Sequence, residues 1–310
     1  MSLAGVGCKT DGASKQGGSN SAGSAGIVTG GASSGGSPQS GAGGSAGASS
    51  GGTVSEPCAD ALFCDDFEAP ALSASPSSPW TVERAGAATV EVDSTHHVSG
   101  TKAVKVVVPG QDDSGFIALG DAPLFPVTEN AFFGRVMLFL LEAPSTSVHF
   151  TLIEASGLVP GQTYHSAYRL GGQQPVTSSG TFVGSQLMAN YETPDGYAGN
   201  GPKSDCWHHA ARVVVPVGRW SCFEWQYDGQ NNALTLWVDG TEVLSVLGMG
   251  DAANGDGCVS QPSTFPWTAP IFDEVRVGWD SYQADGSRTL WVDDFAMSVG
   301  RIGCPSSAGQ

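Results

Sequence analysis

His149 and Thr151 alternate with Val148, Phe150 and Leu152, so a strand here keeps its apolar side chains on one face and projects the imidazole from the other. Arg169 and Gln173 fall in the next run of this kind, Asn190 in residues 187–191, and Arg135 inside the apolar run 133–141. Polar groups that punctuate core-like strands suit a concave sheet facing a ligand. The chemistry open to this set is β-elimination on a uronic acid polymer. The proton to be removed is weakly acidic unless Arg, Gln or Asn neutralises the neighbouring carboxylate, and a His or Tyr must carry it. The plainer alternative makes Arg135 and Arg169 sheet-surface residues paired with the abundant acids.

Other chemistries fit less well. A retaining glycosidase needs two carboxylates about 5–5.5 Å apart, and no ExDxxE spacing occurs in the chain. Glu224 and Asp228 are four apart with Gln226 between them, which reads Glu224 as a strand-surface carboxylate. His96-His97 and His208-His209 are adjacent pairs whose rings leave opposite faces of a strand, a poor arrangement for a transition metal. Tyr191, Tyr197, Trp207 and Trp267, if exposed, could stack on neutral sugar rings.

The elements that must hold these groups are strands. Beyond Cys64, short alternating runs are broken by Gly, Pro, Asn and Asp about every ten residues. They include 103–108, 132–141, 148–155, 186–191, 211–215, 222–227, 234–238, 271–277 and 290–299. No window carries a capped apolar stripe of helical period, so an all-β, two-sheet antiparallel β-sandwich is expected. The head of the chain differs: residues 11–53 hold 15 Gly, 11 Ser and 7 Ala, and the first aromatic of the 310 residues is Phe63. Such a stretch cannot bury enough apolar surface to offset chain entropy. Residues 1–55 therefore read as a disordered tether and 56–310 as one domain.

From Ala61 onward 11 basic residues stand against 27 acidic ones, a net of about −16, which repels nucleic acid and penalises a polyuronate unless cations gather in one groove. No apolar run approaches the roughly 18 residues of a membrane span. Cys8 stands alone before the tether, at the end of a Leu-Ala-Gly-Val-Gly-Cys stretch that resembles a bacterial lipoprotein signal, so a lipid anchor at Cys8 is one expectation. Cys58, Cys64, Cys206, Cys222, Cys258 and Cys304 can form three bridges, and sequence does not choose the pairing. Six spread cysteines point to an extracellular or cell-surface location, and a monomer is expected.

The segment 220–240, with two aromatic strands and an Asp239-Gly240 turn, closely resembles the meander of concanavalin A-like jelly rolls, which include laminin G-like modules. Residues 64–68 and 291–298 look like the first and last strands of that fold, which pair with each other. Among such folds the chain is similar to the Cip1-like group and to glucuronan and alginate lyases, through residues 168–173 and 278–283. The second stretch has three residues between Gly278 and Tyr282 where the GxYxQ pattern of alginate lyases has one. The resemblance implies that Arg169 grips a substrate carboxylate bidentately, Gln173 adds a donor, and Tyr282 or His149 moves the protons, while Arg135, Asn190 and Gln283 bind substrate. It further implies a structural calcium held by Glu68, the segment 93–99 and Asp293. The partner is then a polysaccharide. A non-catalytic glycan-binding module and an adhesive surface protein are the alternatives.

Overall fold

The computed structural model describes Cys58 and residues 61–120, 123–247, 256–261 and 267–305. The expected tether at 1–55, with Cys8, lies outside the described residues. Among them, the alternating runs form β1 (Phe63–Asp65), β2 (Thr81–Ala85), β3 (Thr89–Asp93), β4 (Ala103–Val108), β5 (Ser114–Leu119), β6 (Ala131–Leu140), β7 (Phe150–Leu158) and β8 (His165–Ser178). The chain continues with β9 (Thr181–Glu192), the one-turn α1 (Pro194–Tyr197), β10 (Lys203–Val214), β11 (Trp220–Asp228), β12 (Ala233–Val238), β13 (Thr241–Leu247), β14 (Gly257–Gln261), β15 (Ile271–Ser281) and β16 (Arg288–Ser298).

These strands make the expected two antiparallel sheets. The first runs β13-β12-β11-β6-β16-β4-β3, with β1 also paired to β16; the second runs β14-β10-β9-β8-β7-β15-β5-β2. In β4, Val104, Val106 and Val108 are buried while Lys105 and Val107 are only half-buried, the pattern of a strand with one face on a core. The first and last strands meet as the resemblance implied, Phe63 opposite Met297 and Asp65 opposite Phe295.

Between the sheets lies an aromatic core. The Tyr168 ring meets Tyr191, Tyr227 and Phe272 edge-on at 5.7–5.9 Å between centroids, and Trp267 stacks on Tyr191 at 5.7 Å. Such pairs add roughly 0.5–1.5 kcal/mol each beyond the burial of their area. Tyr191 and Trp267 are 0% and 2% exposed, so neither is the sugar platform that their type suggested. The six cysteines pair as Cys58–Cys64, Cys206–Cys258 and Cys222–Cys304. The last of these lays the C-terminal segment over β11. There Glu224, expected at a strand surface, is instead fully buried, accepting from Arg301 Nε at 2.8 Å and from the Ile302 and Gly303 amides at 2.9 and 2.6 Å.

Candidate functional site

The outer face of the second sheet carries a row of charges set by strand register. Arg276 of β15 lies opposite Glu154 of β7, Glu154 opposite Arg169 of β8, and Arg169 opposite Asn190 of β9. Arg276 binds Glu83 at 3.1 Å and Glu154 at 2.9 Å; Arg169 Nε donates to Glu154 at 2.5 Å, and its Nη1 pairs with Glu192. The result is an alternating ladder, Glu83, Arg276, Glu154, Arg169, Glu192. Burial opposes ionisation of Glu154, yet the two guanidiniums outweigh it and hold the carboxyl below its ordinary range. Burial likewise opposes the charge on Arg169, and Glu154 more than offsets it, so that group stays a cation.

Two bulges aim the next residues onto the same face. Between Thr151 and Ile153 β7 has one more residue than β8, and between Val277 and Asp280 β15 has one more than β7. Simple alternation from Glu154 would turn Thr151 into the core; the extra residue returns it to the outer side, and His149 with it. Glycine makes room for this. A Cβ on Gly171 would lie 1.9 Å from the Phe150 carbonyl oxygen, and one on Gly278 would lie 2.0 Å from that of Gly115. The bulge in β15 also falls where the chain departs from the GxYxQ spacing.

His149 and Tyr282 consequently lie side by side, their ring centroids 4.7 Å apart. The Tyr282 amide donates to the His149 carbonyl at 2.9 Å, and the His149 amide donates to Gln283 Oε1 at 2.5 Å. The phenol oxygen of Tyr282 is 3.1 Å from Thr151 Oγ1, and the Arg169 guanidinium sits 5.2 Å from the phenol ring centre. Burial, then Arg169 and His209, hold the imidazole of His149 down to about 3, so it is neutral at pH 7. Burial raises the phenol of Tyr282 above its ordinary value, with Arg169 pulling the other way. A cleft of about 110 Å³ opens beside them, lined by His149, Gln173, Met188, Asn190, Asp205, Trp207 and Gln283. Asn190 Nδ2 is held by Asp205 at 2.6 Å and by the Cys206 carbonyl at 2.8 Å.

His149, Gln173, Asn190 and Gln283 thus share one cleft, with Tyr282 and Arg169 against its wall. The bidentate grip expected of Arg169 is not open to it, because Nε and Nη1 are taken by glutamates. Arg135 belongs elsewhere. It lies on β6 of the first sheet, opposite Glu224 and 3% exposed, in the field of Asp294 and Glu224. Glu154 was missed, although an acid inside the apolar run 148–155 is the same signal that marked Arg135. Asp205 was missed because its strand reads as polar.

Glu68 and Asp293, the expected calcium ligands, both turn to the loop 98–102. Glu68 Oε1 accepts from the Thr101 and Lys102 amides at 2.8 and 2.7 Å, and Asp293 Oδ2 accepts from the Val98 and Ser99 amides at 2.7 and 3.3 Å. Asp294, at a left-handed φ of 46°, bonds the Ser99 hydroxyl at 2.7 Å. Burial, with Asp294 adjacent, raises the Asp293 carboxyl to about 7. Hard oxygen donors at both ends of one loop suit Ca²⁺. Among the described residues no three His, Cys, Asp or Glu side chains are placed to hold a metal ion together, so the remaining ligands would be carbonyls and water.

The family profile described as "Cip1-like, core domain", of polysaccharide lyase-like type, matches residues 67–300. The fold is similar to that of "Cellulose induced protein, Cip1", with TM-score 0.49 and 22% identity over 78% of this chain and 99% of that one. It is also similar to an endo-β-1,4-glucuronan lyase from the fungus Trichoderma reesei, with TM-score 0.49 and 16% identity over 77% and 96% of the two chains. The binding domain of botulinum neurotoxin serotype D/C matches with TM-score 0.46 and 9% identity, over 79% of this chain and 50% of that one. A search of curated protein sequences finds no match.

Proposed function

This chain belongs to the Cip1-like, polysaccharide lyase-like family, and from that premise we propose that it is a carbohydrate-active protein whose cleft performs β-elimination on a uronic-acid-containing polysaccharide. The observation that carries the reading is the contact of His149 with Tyr282, a neutral imidazole beside a phenol at the wall of a polar cleft. The imidazole of His149 takes the proton alpha to the carboxylate, the phenol of Tyr282 gives its proton to the leaving sugar oxygen, and transfer of the proton from imidazolium to phenolate resets the pair. Gln173, Asn190 and Gln283 offer amide groups to the carboxylate and hydroxyls. The test is the ultraviolet absorbance of the new C=C bond when the protein meets glucuronan or alginate. Tyr282→Phe is expected to cut that rate about 10²- to 10⁴-fold with unchanged melting; a Tyr282→Phe protein as fast as wild type would remove the phenol from the mechanism.

A second reading, glycan binding without turnover, is favoured by the engagement of Arg169 with Glu154 and Glu192, which leaves the reacting carboxylate without a dedicated cation. Affinity for the polymers with no unsaturated product would select it. Calcium bound by Glu68 and Asp293 is part of the proposal, as a structural ion that ties the 98–102 loop to the first and last strand regions. Export to an extracellular or cell-surface site is supported by the three disulfides. No helix among the described residues is long and apolar enough to cross a membrane.

A further inference from the structure

An acidic chain that handles a polyanion needs an accessible cation at its cleft, and the ladder supplies none. Arg169 and Arg276 are each clamped between two glutamates. Asp205 adds a further carboxylate to the lining. One cation nearby is spent differently. Lys203 is two residues before Asp205 and four before Trp207, so alternation along β10 puts its side chain on the face that those two residues present to the cleft. Its Nζ lies 4.4 Å from the ring centre of Tyr197, and it has no carboxylate partner among the described residues. Tyr197 is 46% exposed at the end of α1. It is also near enough to the cleft for Asp205 and Arg169 to bear on its phenol.

We propose that Lys203, held over Tyr197, forms a rim subsite that binds the carboxylate of a uronic acid unit adjacent to the one at His149 and Tyr282. The proposal rests on the uronate reading and gives it a specificity residue. Two residues of strand separate Lys203 from Asp205, a step of about 7 Å, so the contact falls beyond the sugar that occupies the cleft. Resting on an aromatic face holds the ammonium in place without neutralising it, whereas a carboxylate partner would cancel the charge that the substrate has to find. Lys203 therefore binds and selects, and takes no part in proton transfer.

The experiment measures binding of oligomers of glucuronic acid to wild type, Lys203→Met and Lys203→Arg at low and high salt. Lys203→Met is expected to weaken binding about fivefold at low salt, the order of one accessible ion pair, and to flatten the salt dependence. Lys203→Arg is expected to match wild type, and all three to melt alike. Wild-type affinity in Lys203→Met, or an equal loss in Lys203→Arg, overturns the assignment. If wild type binds and cleaves the oligomers and Lys203→Met does so equally, the rim subsite falls alone. If wild type does not bind them at all, the uronate reading falls and the subsite with it.

Discussion

Glu154 and Asp293 are both buried strand carboxylates, one on each sheet, and their surroundings push them in opposite directions. Glu154 lies between two guanidiniums and is held ionised. Asp293 receives only backbone amides, has another aspartate beside it, and is raised to about 7. Burial costs both the same kind of desolvation; what differs is whether the chain brings its own cations. At the ladder it does, and Arg169 behind the Tyr282 ring is fixed before any ligand arrives. Beside Asp293 it does not: Lys102 of the same loop turns its ammonium to the Glu68 and Pro70 carbonyls, and Asp293 is left to backbone amides.

The sharpest way to break this contrast is Glu154→Gln. Removing the shared partner takes one of its two glutamates from the buried Arg169 and from the half-buried Arg276, and losing one member of a buried pair costs roughly 3–5 kcal/mol. Urea unfolding should show a loss of that order; a shift below about 1 kcal/mol would mean that the ladder behaves as a surface network.

Calcium sharpens the other side. An ion that binds only the folded state adds about 2.7 kcal/mol at a hundredfold excess over Kd, so a chelator should lower the melting temperature of the native protein. In a Glu68→Gln, Asp293→Asn double variant it should have little effect. Equal chelator responses in the two proteins would remove the ion from the account.

A further test concerns His149. Its folded value of about 3 lies below the ordinary 6.5, so between those values the unfolded chain takes up a proton that the native state refuses. The contribution of this group is complete above about 6.5 and is lost as pH falls towards 3. His149→Gln should flatten that part of the stability profile, measured by unfolding midpoints from pH 4 to 7. An unchanged slope would place the imidazole in water.

Much of the fold could be read from alternation. Residues 103–108 and 222–227 fall in β4 and β11, and Asp239-Gly240 is the turn between β12 and β13. Not among the expected runs were β2, β3, β5, β14 and most of β10. Of its twelve residues only the end was visible, because Lys203, Asp205, Trp207 and His209 give that strand a polar outer face, and only Ser204, Cys206 and Ala210 are fully buried on it. The cleft was half legible. His149, Gln173 and Asn190 could be named from their strands and Gln283 from the resemblance, but not the partners of Arg169. Those depend on register across three strands and on bulges that no local pattern announces.

The disulfides have a mechanical consequence. β1 and β16 are antiparallel neighbours at the two ends of the described fold, so a pull on both termini would load their hydrogen bonds one at a time, as in opening a zip. The bridges change where tension enters. A force on the N-terminal side passes from Cys58 to Cys64 and bypasses Phe63, and one on the C-terminal side crosses from Cys304 to Cys222, in β11. Tension therefore reaches the first sheet at an interior strand and not at the end of β16. A pull on the described ends is thus met by covalent bonds before the β1–β16 hydrogen bonds.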